Sequence, residues 1–475
     1  MHRVLILGKL KRAFGISSHI GQRALPLTEF ERSKKLYESA RRIITGGVHS
    51  GVRFQEPHPI YFKRARGSRV WDVDENEYID CIVSMGACVL GHGDSKVLEA
   101  VETQLSTGLT AGFESELSVR AAERLSQIVP SAEIVKFSCT GTEAVMHAIQ
   151  IARGYTGRNR IIKIEGGYDG WYDFMLVSVH PSPEEAGPAD TPVAVSGSRG
   201  ISTAAAKETI VVPYNDLEAA EKITKKFSRE VAALIVEPVA FNMGCVLPRE
   251  GYLEGIREIT ERHDIPLIFD EVITGFRMAP GGAQSYYKVT PDISVFGKAI
   301  ANGFPVSAVV GKKEIMEITD PRKGKVPFMG TYNASQMSLA ACDASLQQLA
   351  DGKVQSHLHR ASGKLVRCFN ETANALGMAA RMQGIGGKFQ VYFTNHEVTD
   401  YRTAALSDEK RYAVFQKAML SRGIYFYHGA SFPTHLFHHG VSYAHSDDDL
   451  KAVLDAAEES LKEVQRSTSQ TRTRS

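Results

Sequence analysis

Cysteine is scarce and unpaired: the six residues Cys81, Cys88, Cys139, Cys245, Cys342 and Cys368 include no C-x-x-C spacing. That pattern argues against a disulfide framework and a zinc ribbon, and it fits free thiols in a reducing compartment, which points to the cytoplasm. Charge of one sign is also lacking. The formal net charge is +2, which gives no electrostatic ground for a nucleic-acid or anionic-membrane partner. No apolar stretch approaches the roughly 20 residues of a membrane-spanning helix. The run Val4–Leu7 near the start is too short for a secretory core. Residues 1–28 therefore read as a loosely ordered basic extension, and the polar segment 465–475 reads as a disordered tail.

What is present is globular material. At 475 residues the chain exceeds one average domain, and 43% hydrophobic with 23% charged residues suffices for a large core. From about Glu29 onward, helical spacing ("FERSKKLYESARRII") gives way to a hairpin-like stretch, "IYFKRARGSRVWDVDENEYID", turning at D-E-N. Seven short apolar runs follow, interleaved mostly with amphipathic helices: "EIVKFSC", "RIIKI", "TIVVPY", "AALIVEP", "PLIFDEV", "ISVFGK" and "VSAVVG". Continuous apolar runs of this length are strands covered on both faces, and helices between them imply a largely parallel sheet. The predicted fold class is α/β. The expected division is residues 29–95 as an amino-terminal segment of a small domain, 96–345 as the large domain and 346–464 as a small α+β domain. The polar stretch 182–208 reads as a mobile surface excursion near a functional edge.

Ligands in open α/β sheets sit at the carboxyl ends of strands, so the residues after each run carry the information. "KFSC" is followed by Thr140-Gly141-Thr142-Glu143 and a helix. This is either a capped helix start or a phosphate site built from backbone N–H groups at the positive helix end. "LIVEP" ends in Glu237 and "LIFDEV" carries Asp270, which either caps the next turn or meets a positive partner. "SVFGK" delivers Lys298. A lysine there either snorkels to solvent or, if buried, loses its charge and becomes a nucleophile toward aldehydes. A phosphate cradle, an acid and a nucleophilic amine on strand ends are the protein-side needs of pyridoxal 5'-phosphate (PLP).

With those residues in view, "LIFDEVITGFR", "VTPDISVFGKAIANGFPVSAVVGKKEIM", "VEPVAFNMGCV", "GTEA", "GGVHSGVR" and "SYAHSDDDL" resemble class III PLP-dependent aminotransferases. Within them the chain looks like the glutamate-1-semialdehyde 2,1-aminomutase-like branch. The motifs run in order from about Arg42 to Leu450. The resemblance implies the type I PLP-dependent transferase fold, with a mostly parallel seven-stranded sheet in the large domain and a small domain assembled from both ends of the chain. It also implies a homodimer with shared active sites.

The resemblance further implies Lys298 as the Schiff-base lysine and proton shuttle, and Asp270 as the partner of the pyridine nitrogen. Gly141 and Thr142 would hold the phosphate, with Thr331 reaching it from the neighbouring subunit. Tyr168 and Val272 would pack on the two ring faces, and Glu237 would lie near the phenolic oxygen. Arg53 falls where relatives bind a substrate carboxylate, a contact a guanidinium suits well. The partners are then a small amino donor and a carbonyl acceptor.

Some residues depart from the aminomutase pattern. Tyr168-Asp169-Gly170 stands for Y-H-G, Ser84-Met85-Gly86 for S-W-G, and Gly330-Thr331-Tyr332-Asn333-Ala334-Ser335-Gln336 for G-T-L-S-G-N-P. These tilt the expectation toward an intermolecular aminotransferase, with the aminomutase as the alternative. A racemase or lyase on the same cofactor is a further one. A non-enzymatic binding module would be expected to lose Lys298 or Asp270, and both are present. "THLFHHG" (His435, His438, His439) lacks the spacing and companion carboxylate of a metal site, and "GIGGKF" reads as a turn rather than a P-loop.

Overall fold

The computed structural model describes residues 30–109, 112–427 and 434–472. The extension expected over 1–28 lies outside the described residues. Three strands come first, β1 (Phe62–Arg66), β2 (Arg69–Asp72) and β3 (Glu77–Asp80), each antiparallel to the next. The Asp72 carboxylate accepts from the Asp74 and Asn76 backbone at 2.9 and 2.8 Å, which closes the expected D-E-N turn. The predicted hairpin thus gains a third strand, through a tight turn at Gly67, whose φ is +58°.

All seven apolar runs form strands, and they assemble into one sheet. They are β4 (Ile134–Ser138), β5 (Arg160–Ile164), β6 (Thr209–Val212), β7 (Val231–Val236), β8 (Leu267–Glu271), β9 (Ile293–Phe296) and β10 (Ser307–Gly311). Their spatial order is β4-β10-β9-β8-β7-β5-β6. Only β10 is reversed, antiparallel to both β4 and β9. The sheet is buried on both faces, which explains the unbroken apolar runs. Leu234, Val236, Leu267 and Phe269 join one core, while Ala233, Ile235 and Ile268 join the other. On that second face lies the helix Gly141–Thr156, whose Ala144, Val145, Ala148, Ile149 and Ala152 recur at helical spacing and are fully buried. Truncating Ile149 to Ala would cost roughly 2–5 kcal/mol.

Four further strands follow: β11 (Arg381–Ile385), β12 (Lys388–Tyr392), β13 (Ile424–Tyr425) and β14 (His439–Gly440). β13 pairs in parallel with β3, so one small sheet draws on strands more than 340 residues apart in sequence, as their numbering shows. β11 and β12 form a hairpin on Gly386-Gly387, both at positive φ, as "GIGGKF" suggested. Helix Lys353–Ala375 buries Leu358, Ala361, Leu365 and Phe369 at helical spacing.

One expectation is corrected. Residues 465–472, expected to belong to a disordered tail, continue the final helix Asp447–Arg472. Its inner face is anchored by Leu461 and Val464, and once a helix is nucleated each added residue costs little.

Candidate active site

The carboxyl ends of β4, β5, β7, β8 and β9 converge, and the residues beyond them surround a cavity of 210 Å³. Gly141, Thr142, Tyr168, Asp270, Val272 and Lys298 all line it. Thr140 begins the helix after β4 with a reciprocal cap. Its hydroxyl accepts the Glu143 N–H at 3.2 Å, and the Glu143 carboxylate accepts the Thr140 N–H at 3.0 Å. The helix is therefore capped, as one sequence reading of this turn had it, and its first residues face the cavity. The Thr142 hydroxyl accepts the Trp171 N–H at 2.9 Å, which fastens the helix start to the loop after β5.

Lys298 opens a short turn, Lys298–Ala301, and has φ +46°. That left-handed conformation is strained for a side chain and persists where the surroundings enforce it. The following residues do so. Asn302 donates to the Gly91 carbonyl at 3.0 Å and accepts the Leu90 N–H at 3.0 Å. Burial lowers the Lys298 amine to about 8, against the opposing pull of Glu237 and Asp270. The amine is thereby brought into the range where its neutral, nucleophilic form is plentiful.

Asp270 is 5% exposed, and one oxygen accepts the Val272 N–H at 2.9 Å. Burial first, and the charge of Asp169 second, push its carboxyl up to about 8. Glu237 is driven well above the usual carboxylate range by burial and by Asp270. One Glu237 oxygen accepts the Asn242 N–H at 3.2 Å, and the other is buried without a partner among the described residues. The site thus holds more buried acid than its cations neutralise.

Three residues to which the sequence reading gave no role build the rest. Asn242 donates from its side chain to the Tyr168 carbonyl at 3.2 Å. Lys163, fully buried on β5, donates to the Gly167 and Val177 carbonyls at 2.7 and 2.8 Å and stands 3.8 Å from Asp169. Burial moves both partners toward their neutral forms, lowering Lys163 to about 8 and raising Asp169. A lysine inside an apolar strand, "RIIKI", was the available signal. The third is Gly170, at φ +105°: a Cβ there would stand 3.0 Å from the Thr142 backbone.

Arg53 and Thr331 do not line this cavity. Arg53 lies on a separate cavity of 340 Å³, and Thr331 is exposed. A larger cavity of 860 Å³ lies at helices Ser95–Thr107, Glu116–Ile128 and Gln336–Leu349. None of the predicted residues lines it, so size does not mark the chemistry here. The histidines of "THLFHHG" are built into the interior. His438 Nδ1 lies 2.9 Å from the Lys388 amine, and His439 Nε2 lies 2.6 Å from the Tyr412 hydroxyl.

The residues fit PLP. A protonated ring nitrogen would supply a cation to the Asp270 carboxyl, which lines the cavity. Gly141 and Thr142 put a helix start without a Cβ at its first position beside the space for a phosphate.

Stretch 182–208, expected to be a mobile excursion, contains the short helices Pro183–Ala186 and Thr203–Glu208. Its base is tied near the site. Arg402 donates to the Pro183 and Gly187 carbonyls at 3.0 and 3.2 Å, while it forks onto Glu165, just past β5, at 2.9 and 2.7 Å.

Comparison with known proteins agrees with this geometry. Residues 52–458 match the family model described as aminotransferase class-III. A glutamate-1-semialdehyde 2,1-aminomutase of Methanocaldococcus jannaschii is 40% identical over 84% of this chain and 91% of its own length. Among solved structures, an omega-transaminase from Sphaerobacter thermophilus is 32% identical with a TM-score of 0.84, over 91% of this chain and 98% of its own. A transaminase with PLP bound is 27% identical with a TM-score of 0.82, over 92% of this chain and 98% of its own.

Proposed function

The chain belongs to the class-III aminotransferases, PLP-dependent enzymes, and from that premise we propose that it moves an amino group between neighbouring carbons of one substrate, as a glutamate-1-semialdehyde 2,1-aminomutase does. The observation that carries amino transfer is the convergence of Lys298, Asp270 and the Gly141-Thr142 helix start on one cavity. The intramolecular form is supported by the M. jannaschii relative, and it displaces the intermolecular form favoured by residue departures alone. Intermolecular aminotransfer is the second reading, supported by Met85 and the Tyr332-to-Gln336 segment, which differ from the aminomutase pattern, and by the omega-transaminase neighbour.

When bound, PLP supplies an aldehyde for the amine and a ring that draws electrons from the adjacent carbon. In this reading Lys298 Nζ holds the cofactor at rest, then takes the proton from the substrate carbon and returns it one position away. Its lowered affinity for protons suits both roles. The Asp270 carboxylate keeps the ring nitrogen protonated. Gly141 and Thr142 bind the phosphate, Tyr168 and Val272 cover the two ring faces, and Glu237 orders the floor of the pocket. Arg53 takes a substrate carboxylate. Exposed Thr331 reaches the phosphate of the neighbouring subunit in a homodimer. All six cysteines are free, and no helix among the described residues is long and apolar enough to cross a membrane; both are consistent with a cytoplasmic enzyme.

The test is to supply glutamate-1-semialdehyde alone to the purified enzyme with cofactor. Formation of 5-aminolevulinate without any second substrate is the expected result. Amino transfer only when a separate carbonyl acceptor is added would overturn the intramolecular reading and leave the second.

A further inference from the structure

Two carboxylates line the 210 Å³ cavity, Asp169 and Asp270. The proposed function gives a part to Asp270 and none to Asp169. Asp169 stands where the Y-H-G pattern carries histidine, so a group that can be neutral or positive is replaced by an acid. It is 3% exposed, and a carboxylate so deeply buried needs a partner.

That partner is Lys163, fully buried on β5, whose amine stands 3.8 Å from an Asp169 oxygen. The amine also donates to the Gly167 and Val177 carbonyls at 2.7 and 2.8 Å. Three oxygens thus surround a group that, as an ammonium, has three hydrogens to give. Burial lowers its proton affinity to about 8, which leaves it charged at neutral pH. The same contacts fix the loop, because Gly167 immediately precedes Tyr168 and Asp169.

The influence of Asp169 does not end at Lys163. Two carboxylates that share one buried space raise each other's hold on protons. After burial, the charge of Asp169 is the largest cause of the raised Asp270 carboxyl. The other groups around Asp270 act differently. Glu237, past β7, is itself driven by burial toward its neutral form. Lys298, past β9, pulls the opposite way. Glu271, beside Asp270 on β8, is tied by the Thr274 hydroxyl and by the Ala283 and Gln284 N–H groups. The Tyr168 phenol is pushed up by burial and stays neutral.

We propose that Asp169, held by Lys163, is a positioning residue for amino transfer: acting through Asp270, it strengthens the hold of the cofactor's ring nitrogen on its proton. The inference rests on the reading of Asp270 as the partner of that nitrogen.

The test loads the enzyme with PLP carrying nitrogen-15 in its ring and follows that nitrogen by NMR as pH rises. Asp169→Asn is expected to lose the ring proton about one pH unit or more below wild type, a tenfold or larger change in proton affinity. Asp169→Glu, which keeps the charge, is expected to titrate close to wild type. A merely structural role would lower melting temperature and cofactor affinity without moving this midpoint. Equal midpoints in Asp169→Asn and wild type, with the nitrogen protonated in both at neutral pH, would overturn the proposal alone. A nitrogen unprotonated in wild type throughout would overturn the reading of Asp270, and the proposal with it. Should Asp169→Asn fail to fold, Asp270→Asn reads the same coupling from the other side, since such coupling is reciprocal. In that cofactor-free variant, carbon-13 NMR of labelled aspartate is expected to show the Asp169 carboxyl titrating lower than in wild type. An unchanged Asp169 midpoint there would overturn the proposal.

Discussion

Gly141 and Val272 nearly touch: a Cβ on Gly141 would stand 3.1 Å from both methyl carbons of Val272. This contact joins the helix start after β4 to the end of β8, two residues past Asp270. Gly141→Ala must move one of them by a few tenths of an ångström, and both border the cavity. PLP affinity is expected to fall about tenfold, near 1.4 kcal/mol. Equilibrium titration followed by the cofactor's visible absorbance measures it, and turnover at saturating cofactor should suffer less than affinity does.

Lys298→Ala removes the amine that holds the cofactor and moves the proton. Turnover is expected to fall by roughly 10³-fold or more, with loss of the visible band that reports covalent attachment. Near-normal turnover in this variant would remove the central assignment. Lys298→Arg, which keeps charge and bulk, should not restore activity.

Asp270 makes the cofactor-free protein sensitive to pH. Its carboxyl is raised to about 8, so from about pH 4 to 8 the folded protein holds a proton that the unfolded chain has released. Stability from this group is complete at low pH and is lost as pH rises toward 8. Lys298, lowered to about 8, acts in the opposite sense above that pH. Thermal melts of cofactor-free Asp270→Asn should therefore show a shallower decline between pH 5 and 8 than wild type. Parallel curves would contradict a raised carboxyl. In the loaded enzyme the same substitution is expected to lower turnover about 10²-fold or more.

Arg402→Met leaves Glu165, 1% exposed, without its charged partner. Breaking a buried pair from one side costs about 3–5 kcal/mol. The same change frees the Pro183 and Gly187 carbonyls, so limited proteolysis should cut between residues 182 and 208 faster than in wild type. A variant that melts like wild type and resists cleavage equally would show that the fork does not restrain this stretch.

Much of the large sheet was legible because its strands are covered on both faces, and such strands are short apolar runs that need no partner to be recognised. The residues immediately after those runs, among them Asp270 and Lys298, were legible for the same reason. β14 was not, since a two-residue strand at His439–Gly440 has no periodicity and exists only through its pairing with β12. Asn242 was missed because its meaning lies in contacts with Glu237 and with Tyr168, which is 74 positions away. The helix beyond residue 465 was missed because its composition is polar, while its continuity comes from buried Leu461 and Val464 upstream. Arg53, Thr331 and Glu237 were named by resemblance, and none of the three lines the cavity that holds Gly141, Thr142, Tyr168, Asp270, Val272 and Lys298.

The pairing of β3 with β13 has a consequence for how the protein is made. Synthesis runs from the amino end, so the edge of β3 that ends beside Ile424 and Tyr425 stays open until the whole stretch from β3 to β13 has left the ribosome. During that interval an unpaired strand edge is exposed to other nascent chains. Messages truncated before the codon for Ile424 are therefore expected to yield aggregates rather than a shortened enzyme.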